Sequence, residues 1–364
     1  MPGFTIFYHH LSPTAPPMPP GSQSLVYTAP QKNYSHHFFY QSHHKFPNDQ
    51  LFCQIDTFYI GIDGVVLNLK DLQNKTGQHQ LDNLLIHLYQ KYGTSLAQQL
   101  RGEFVGFVFD TERQELLYFT NQTATRKVFY AQVQQTWVIS PQLVSITAFK
   151  EQQGLNNTLS ELSAYCLLTY GAILDRQTIV KDIHRLQAGE MICLQDQQLR
   201  INPYIDYRSV NIIPAKERSI IEQLDHYFSR AVYLEYQKDV EYQYQHLATL
   251  SGGLDSRMNV LLAAQMGFAS DHLCFSQKGY ADEKIARQIS QSLNRSFHFV
   301  PLDDIPHIFD FEENLQLYDG ALFYLGSAHF NHALKQVNLQ KKGSGKKVNL
   351  WALSYLEKLW EWLA

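Results

Sequence analysis

Short segments rich in Phe, Tyr, Val and Ile recur between Leu51 and Leu199, and they predict a sheet-rich domain. The clearest strand segments are Thr57–Leu67, Gly102–Asp110, Glu115–Thr120 and Thr136–Ile139. Two stretches in the same region carry apolar residues at helical spacing instead. These residues are Leu81, Leu84, Leu85 and Leu88, followed by Leu159, Leu162, Tyr165, Cys166 and Leu168. We expect the two helices to cover faces of the sheet.

The pattern changes after Tyr204. A polar stretch over Arg208–Arg218 precedes a helix with one apolar stripe, and strands and helices then alternate. The alternating elements are strand His246–Leu250, helix Met258–Met266, strand His272–Phe275, helix Ala281–Leu293 and strand Ser296–Pro301. Such alternation favours a parallel sheet with right-handed crossovers. We therefore predict domains over 1–208 and 209–340, followed by a separate tail over 341–364.

Composition narrows the class of protein. The length of 364 residues suits two ordinary domains, and 45% hydrophobic and 18% charged residues with a net charge of −4 indicate a globular protein. A net negative charge does not indicate the basic surface that binds nucleic acid, so a nucleic-acid partner is not expected. No segment reaches the ~18 apolar residues that an integral membrane helix needs. The four cysteines are far apart and include no CxxC, which predicts buried thiols in a reducing, cytoplasmic compartment.

The segment SGGLDS, Ser251–Ser256, lies between a predicted strand and a predicted helix. Its two glycines allow a tight turn that brings backbone N–H groups against phosphate oxygens, and the following helix directs its positive end at the same anion. Ser251 and Ser256 add hydroxyl donors. A phosphate would repel Asp255 unless a divalent cation lay between them, so Asp255 predicts Mg²⁺. The alternative is a ligand-free Gly-Gly turn capped by Ser and Asp.

The string SGGLDS resembles the pyrophosphate loop of ATP pyrophosphatases, and residues 55–340 resemble the asparagine synthetase and β-lactam synthetase family. First-half landmarks, in the family's order, are LRGEFVGFVFD (Leu100–Asp110), Glu115–Thr120, Arg126–Tyr130 and IHRLQAGE (Ile183–Glu190). The resemblance implies an α/β protein with two parts. The N-terminal part would be a glutaminase-like, layered αββα domain, and the C-terminal part an incomplete, doubly wound parallel-sheet domain of the ATP pyrophosphatase type.

The family activates a carboxylate by attack on the α-phosphorus of ATP and then transfers the acyl group to an amine. This implies ATP and Mg²⁺ as cofactors, a small-molecule carboxylate with an amine or ammonia as substrates, and a homodimer as one assembly. By similarity, pyrophosphate and Mg²⁺ would be held by Ser251, Gly252, Gly253, Asp255 and Ser256, with Asp255 as the metal ligand.

The same resemblance extends to four further residues. Leu250 and Phe275 would lie near the adenosine, although a strand aromatic such as Phe275 also suits an ordinary core position. Asp282, in YADE, and Asp319, in YDG, resemble acidic positions beside the metal or the nucleotide. For both acids, a helix N-cap or a surface carboxylate is the alternative.

The first half departs from the family at four places. A glutaminase of this type begins, after Met1, with a nucleophilic cysteine, whereas residue 2 here is Pro2. The family's arginine loop is replaced by residues 36–44, whose histidine pairs we interpret as a solvated loop. Asp63 stands where an oxyanion-stabilising Asn is expected, and Arg101 stands where an acid would hold the glutamine amine. We therefore predict no catalytic residue in this half and no glutamine hydrolysis.

The C-terminal region also departs from the family. The chain has neither the family's closing acidic motif nor its long helical substrate region, and the tail is basic and rich in Trp. We expect a truncated ligase of the asparagine synthetase type. The alternative is a pseudoenzyme or nucleotide-binding module without turnover.

Overall fold

In the computed structural model, which describes residues 2–10, 16, 21–29, 34–42, 45–207, 214–304, 306–319, 324–341 and 348–349, the chain divides into two units. The first contains Met1–Val210 and Asp319–Leu322, and the second contains Asn211–Tyr318 and Phe323–Ala364.

The first unit is built on two antiparallel sheets. Its strands are β1 (Gly3–His10), β2 (Gln23–Thr28), β3 (Ser35–Gln41), β4 (Leu51–Ile55), β5 (Phe58–Val66), β6 (Gly102–Asp110), β7 (Glu115–Thr120), β8 (Phe129–Val133), β9 (Thr136–Ser140), β10 (His184–Arg185), β11 (Glu190–Gln195) and β12 (Gln198–Pro203). The strand orders are β10-β8-β9-β1-β3-β2 and β12-β11-β7-β6-β5-β4. Its helices are α1 (Leu69–Thr76), α2 (Leu81–Tyr92), α3 (Leu143–Gln152) and α4 (Glu161–Tyr170).

Three apolar clusters arrange these elements in layers. Between the sheets, aromatic side chains such as Phe4 and Phe38 from one sheet pack against Phe107 from the other. The outer face of the β5 sheet is covered by α1 and α2, and the outer face of the β1 sheet by α3. Each fully buried side chain of this size contributes roughly 1.5–3 kcal/mol. The predicted αββα layering is therefore present in the first unit.

Strand β5 shows how the sequence positions polar groups inside these layers. Alternate residues Ile60 and Ile62 face α2, while Tyr59 and Asp63 face the space between the sheets. Eight of its nine residues are buried, because both faces of the sheet are covered. Gly64 has φ +121°, and a Cβ there would lie 2.0 Å from the Glu103 carbonyl oxygen, so only glycine fits this register.

Two sequence predictions for the first unit are wrong. The segment interpreted as a solvated loop contains β3, where the His36 side chain has no solvent exposure; His43 and His44 lie outside the described residues. Helix α4 does not cover a sheet face, because Leu162 and Leu168 are 63% and 84% exposed and only Ser163 is buried. Its apolar residues have helical spacing, but the larger ones, Leu162, Tyr165 and Leu168, are mostly exposed.

The second unit is an α/β structure. Its elements are α5 (Glu217–Glu241), β13 (Gln245–Thr249), α6 (Leu254–Gln265), β14 (Ser270–Ser276), α7 (Ala281–Ser292), β15 (Phe297–Pro301), α8 (Phe311–Tyr318), α9 (Tyr324–Lys341) and β16 (Val348–Asn349). The strands form a parallel sheet in the order β15-β14-β13-β16. Helices α6 and α7 pack on one face of this sheet and α9 on the other. The predicted parallel alternation is confirmed, and Val348 and Asn349, which we assigned to the separate tail, add a strand to the sheet.

Across the described residues, every helix is too short or too polar to span a lipid bilayer.

Candidate functional site

The SGGLDS loop leaves the carboxyl end of β13 and leads directly into α6. The Leu250 N–H donates to the Leu273 carbonyl oxygen at 2.8 Å, so pairing with β14 extends to the first residue of the turn. The carboxyl ends of parallel strands are where ligands bind in open α/β sheets. The start of α6 also directs its helix dipole toward the loop. The loop predicted from the sequence is therefore in the expected structural context.

Three backbone N–H groups of the loop donate to side-chain oxygens. Ser251 N–H donates to Ser256 Oγ at 3.0 Å, and Gly253 N–H donates to Ser251 Oγ at 3.1 Å. Gly252 N–H donates to Asp282 Oδ1 at 2.7 Å. The two serine hydroxyls are 3.1 Å apart. The structure thus brings together five predicted site residues and shows that one loop N–H already binds a carboxylate oxygen.

Gly252 lies in close contact with the start of α7. A Cβ at this position would lie 2.8 Å from Asp282 Oδ1 and 3.2 Å from Ile285 Cδ1. Asp282 is the second residue of α7, so the positive ends of two helices, α6 and α7, meet at the loop. Any larger residue at 252 would displace the Asp282 carboxylate.

Charged groups of both signs border the loop. Asp255, in the first turn of α6, is exposed, and no side chain in the described part of the chain forms a hydrogen bond or ion pair with its carboxylate. Arg257 donates from Nε to the Gly253 carbonyl oxygen at 3.1 Å, which holds its guanidinium beside the loop. We did not predict Arg257 as a site residue, although it directly follows the motif.

Leu250 and Phe275 lie on opposite faces of the parallel sheet. Leu250 is 1% exposed and packs with Ala248 and Val260, so its side chain is part of the core beneath the loop. Phe275 is half-buried and packs on the α9 face, with its ring 6.0 Å from that of Phe330. Phe275 matches the core interpretation given for it, Leu250 is also a core residue, and the proximity of both to adenosine stays a prediction.

Asp319, which we predicted to belong to the second domain, groups with the first unit and contacts other residues of that unit. Its Oδ1 accepts the Leu143 N–H at 3.3 Å, at the start of α3, and its Oδ2 lies 3.8 Å from Lys127 Nζ. Burial raises the pKa of Asp319, and Lys127 acts in the opposite direction. The hydrogen bonds of the SGGLDS loop do not include Asp319.

The first unit has a polar centre at Asp63, between the two sheets. The Asp63 side chain has no solvent exposure and forms an ion pair with the Arg126 guanidinium. Tyr40 donates its hydroxyl to Asp63 Oδ1 at 3.0 Å and lies 3.1 Å from Gln50 Oε1. Burial and the Asp63 charge raise the pKa of Tyr40, so it stays a hydroxyl donor. The sequence singled out Asp63 but gave no sign that Arg126 neutralises it.

Pro2, Arg101 and two cysteines are the other positions of the first unit that bear on glutaminase chemistry. Pro2 precedes β1, and Arg101 donates from Nη1 to the carbonyl oxygens of Gln98 and Leu100 at 2.5 and 2.8 Å. Burial raises the pKa of the Cys53 and Cys193 thiols to about 11. Both thiols stay protonated near neutral pH and are therefore poor nucleophiles.

No group of three or more His, Cys, Asp and Glu side chains within the described ranges is arranged to hold a metal ion.

Comparison with known proteins finds a family model that matches most of the first unit. Residues 50–205 match the family described as a glutamine amidotransferase domain. This agrees with the glutaminase-side landmarks in the sequence; the finer likeness to asparagine and β-lactam synthetases stays a prediction.

Two curated proteins are similar over a larger part of the chain. Amidase chyE of Penicillium rubens is 24% identical over 242 residues, which cover 61% of this chain and 34% of that protein. Amidase chry2 of Gibberella zeae is 25% identical over 251 residues, which cover 63% of this chain and 36% of that protein. This chain thus spans about a third of the length of these relatives.

Among solved structures, the glutamine phosphoribosylpyrophosphate amidotransferase from B. subtilis, complexed with ADP and GMP, matches with a TM-score of 0.31 and 10% identity. The match covers 74% of this chain and 67% of that one. An allosteric regulatory enzyme of purine biosynthesis matches with a TM-score of 0.31 and 11% identity. This match covers 74% of this chain and 66% of that one. At this TM-score neither structure informs the function of the chain.

Proposed function

We propose that this protein is an ATP-dependent ligase that forms amide bonds, and that its first unit does not hydrolyse glutamine. The observation that carries the proposal is the SGGLDS loop at the carboxyl end of β13, where helix starts, hydroxyls and backbone N–H groups converge. The similarity to two proteins named amidases and to a glutamine amidotransferase domain supports amide chemistry in general. The adenylation of a carboxylate substrate is a further step that we infer from the SGGLDS loop.

The residues present fit a phosphate ligand with Mg²⁺. Gly252 N–H already donates to an anionic oxygen, which supports the proposal that this loop amide can donate to a phosphate oxygen. Asp255 is exposed and available as a metal ligand, and Arg257 adds a cation at the loop. When bound, Mg²⁺ would neutralise phosphate charge and allow Asp255 to approach.

In the proposed reaction, a carboxylate oxygen of the substrate attacks the α-phosphorus of ATP, and the bond to the β-phosphate breaks to release pyrophosphate. The nitrogen of an amine or ammonia then attacks the acyl carbon, loses a proton to solvent, and displaces AMP. The loop N–H groups, Ser251 and Ser256 hold the leaving pyrophosphate. Such positioning and charge stabilisation supply most of the catalysis in phosphoryl and nucleotidyl transfer.

A second candidate is a nucleotide-binding module without turnover. It is favoured by the internal hydrogen bonds of the loop, since each of the three loop N–H groups already has a partner within the unit and would have to release it before it could position a leaving pyrophosphate. Homodimer formation also stays a prediction, and light scattering after size-exclusion chromatography would test it.

The full chain should be titrated with Mg·ATP and Mg·pyrophosphate by calorimetry, and then assayed for pyrophosphate release with a panel of carboxylates and ammonia. We expect binding at or below millimolar ligand and carboxylate-dependent release. Binding without release for any carboxylate would favour the module. No binding of either ligand at millimolar concentration would overturn both the ligase and the nucleotide-binding module, and would favour a pseudoenzyme in which the loop has only a structural role.

A further inference from the structure

Asp282 has an unusual position for a carboxylate in a protein proposed to bind phosphate. It reaches from the first turn of α7 to the loop thirty residues earlier in sequence, where its Oδ1 lies 2.7 Å from the Gly252 nitrogen. Among the described residues it has no cationic partner. Its hydrogen-bond donor is a backbone N–H of the loop that we propose holds phosphate.

The surroundings favour a carboxylate at this point. The starts of α6 and α7 both direct partial positive charge at it. Gly252 leaves the space that Asp282 needs, since a Cβ there would lie 2.8 Å from Oδ1. The Gly252 N–H of the loop is thus occupied by the Asp282 carboxylate, whose negative charge resembles that of a phosphate oxygen.

We infer that Asp282 makes anion binding at this loop dependent on a divalent cation. This inference rests on the proposed function and assigns the residue that sets its metal requirement. Without metal, a phosphate must either displace the carboxylate from Gly252 or bind beside it, and like charges in a partly buried site repel. Mg²⁺, when bound, would supply the Asp282 carboxylate with an attractive partner and would leave the Gly252 N–H free to donate to the phosphate.

The inference predicts that one substitution changes affinity in opposite directions with and without metal. Asp282→Asn removes the charge but keeps an Oδ1 acceptor for Gly252. We expect it to bind metal-free pyrophosphate about tenfold more tightly than the unaltered protein, and to bind pyrophosphate with Mg²⁺ about tenfold more weakly. Asp282→Ser, which also suits a helix start, should shift both affinities in the same directions.

Glu283 provides a matched control. It follows Asp282 in the same helical turn and loses the same charge in Glu283→Gln, but its carboxylate accepts the Gly279 N–H and pairs with Arg287 instead of contacting the loop. We expect this variant to change either affinity by less than about threefold, because exposed charges are well screened.

The experiment is a calorimetric titration of the full chain and the three variants with inorganic pyrophosphate, once with Mg²⁺ and once with a chelator. Circular dichroism would confirm that each variant is folded. If Asp282→Asn shifts both affinities in one direction, or leaves both unchanged, the inference is wrong while the phosphate site stands. If the unaltered protein binds pyrophosphate under neither condition, the proposed function fails as well.

Discussion

The Arg126 guanidinium forms an ion pair with the Asp63 carboxylate, whose side chain is fully buried between the two sheets of the first unit. The two residues are 63 positions apart, on β5 and in the loop before β8. Sequence comparison alone presents Asp63 as a carboxylate that would repel an oxyanion. In the structure its charge is neutralised, and the pair together with Tyr40 occupies the polar centre of the domain.

Removing Arg126 should destabilise the first unit. Arg126→Met leaves the Asp63 carboxylate buried without a cation, and we expect a loss of roughly 3 kcal/mol, near the lower end for breaking a buried pair because the Arg126 side chain is 23% exposed. Hydrogen exchange of the β5 and β6 amides in the full chain measures the change. The double variant Asp63→Asn/Arg126→Met removes both charges and should be more stable than Arg126→Met alone. A double variant that is equally or less stable would contradict this account.

The first unit should not hydrolyse glutamine. Pro2 replaces the expected nucleophile, Asp63 offers no amide donor to an oxyanion, and the raised pKa values of Cys53 and Cys193 keep those thiols protonated. We expect purified protein to release no glutamate from glutamine above the uncatalysed rate in a coupled assay. Steady glutamate production that disappears in an Asp63→Ala or Cys53→Ala variant would show that the first unit is a working glutaminase.

Asp255 should control the metal dependence of nucleotide binding. If its exposed carboxylate binds Mg²⁺, Asp255→Ala loses a charge-assisted contact worth about 1.5–3 kcal/mol, which corresponds to roughly ten- to a hundredfold weaker binding of Mg·ATP. Calorimetry resolves this difference. Glu217→Ala, an exposed acid in the first turn of α5, is the matched control and should have no effect. Equal affinities for the unaltered protein and Asp255→Ala would remove Asp255 from the site.

Buried histidines should make the protein labile to mild acid. Burial lowers the pKa of His36 to about 2 and that of His272 to about 4, so both are neutral in the folded protein near pH 5. The unfolded chain takes up these protons as the pH falls below about 6.5. The free energy of unfolding should therefore be constant above that pH and decrease below it, by up to about 1.4 kcal/mol per pH unit for each histidine.

The variant His36→Asn tests this pH dependence. Asn can accept the His9 N–H that His36 Nδ1 now accepts at 2.9 Å, but it does not titrate. Urea denaturation of the full chain at several pH values between 7.5 and 5 should give a smaller slope for the variant than for the unaltered protein. His79→Asn, at an exposed position, controls for the loss of one histidine. Identical slopes in His36→Asn and the unaltered protein would rule out His36 as a source of acid lability.

Much of the fold is predictable from the sequence because its signals are local. The apolar runs of Thr57–Leu67 and Gly102–Asp110 correspond to β5 and β6 within one residue at each end. The alternation after residue 245 correctly predicts a parallel sheet. The sequence did not predict strands β1, β2 and β3, and histidines interrupt the apolar pattern of β1 and β3. The burial of His36 depends on aromatic partners such as Tyr8, whose ring stacks 4.1 Å away.

The sequence by itself determined the layered first unit, the alternating second unit and the position of the SGGLDS loop between strand and helix. Only the tertiary structure decided which charges meet: Asp63 with Arg126, Asp282 with Gly252, and Asp319 with Lys127 and the start of α3. The physical reason is that periodicity and turn chemistry act over a few residues. Pairings between distant residues depend on strand register and layer packing, and a slip of one residue in β5 would turn Asp63 away from Arg126.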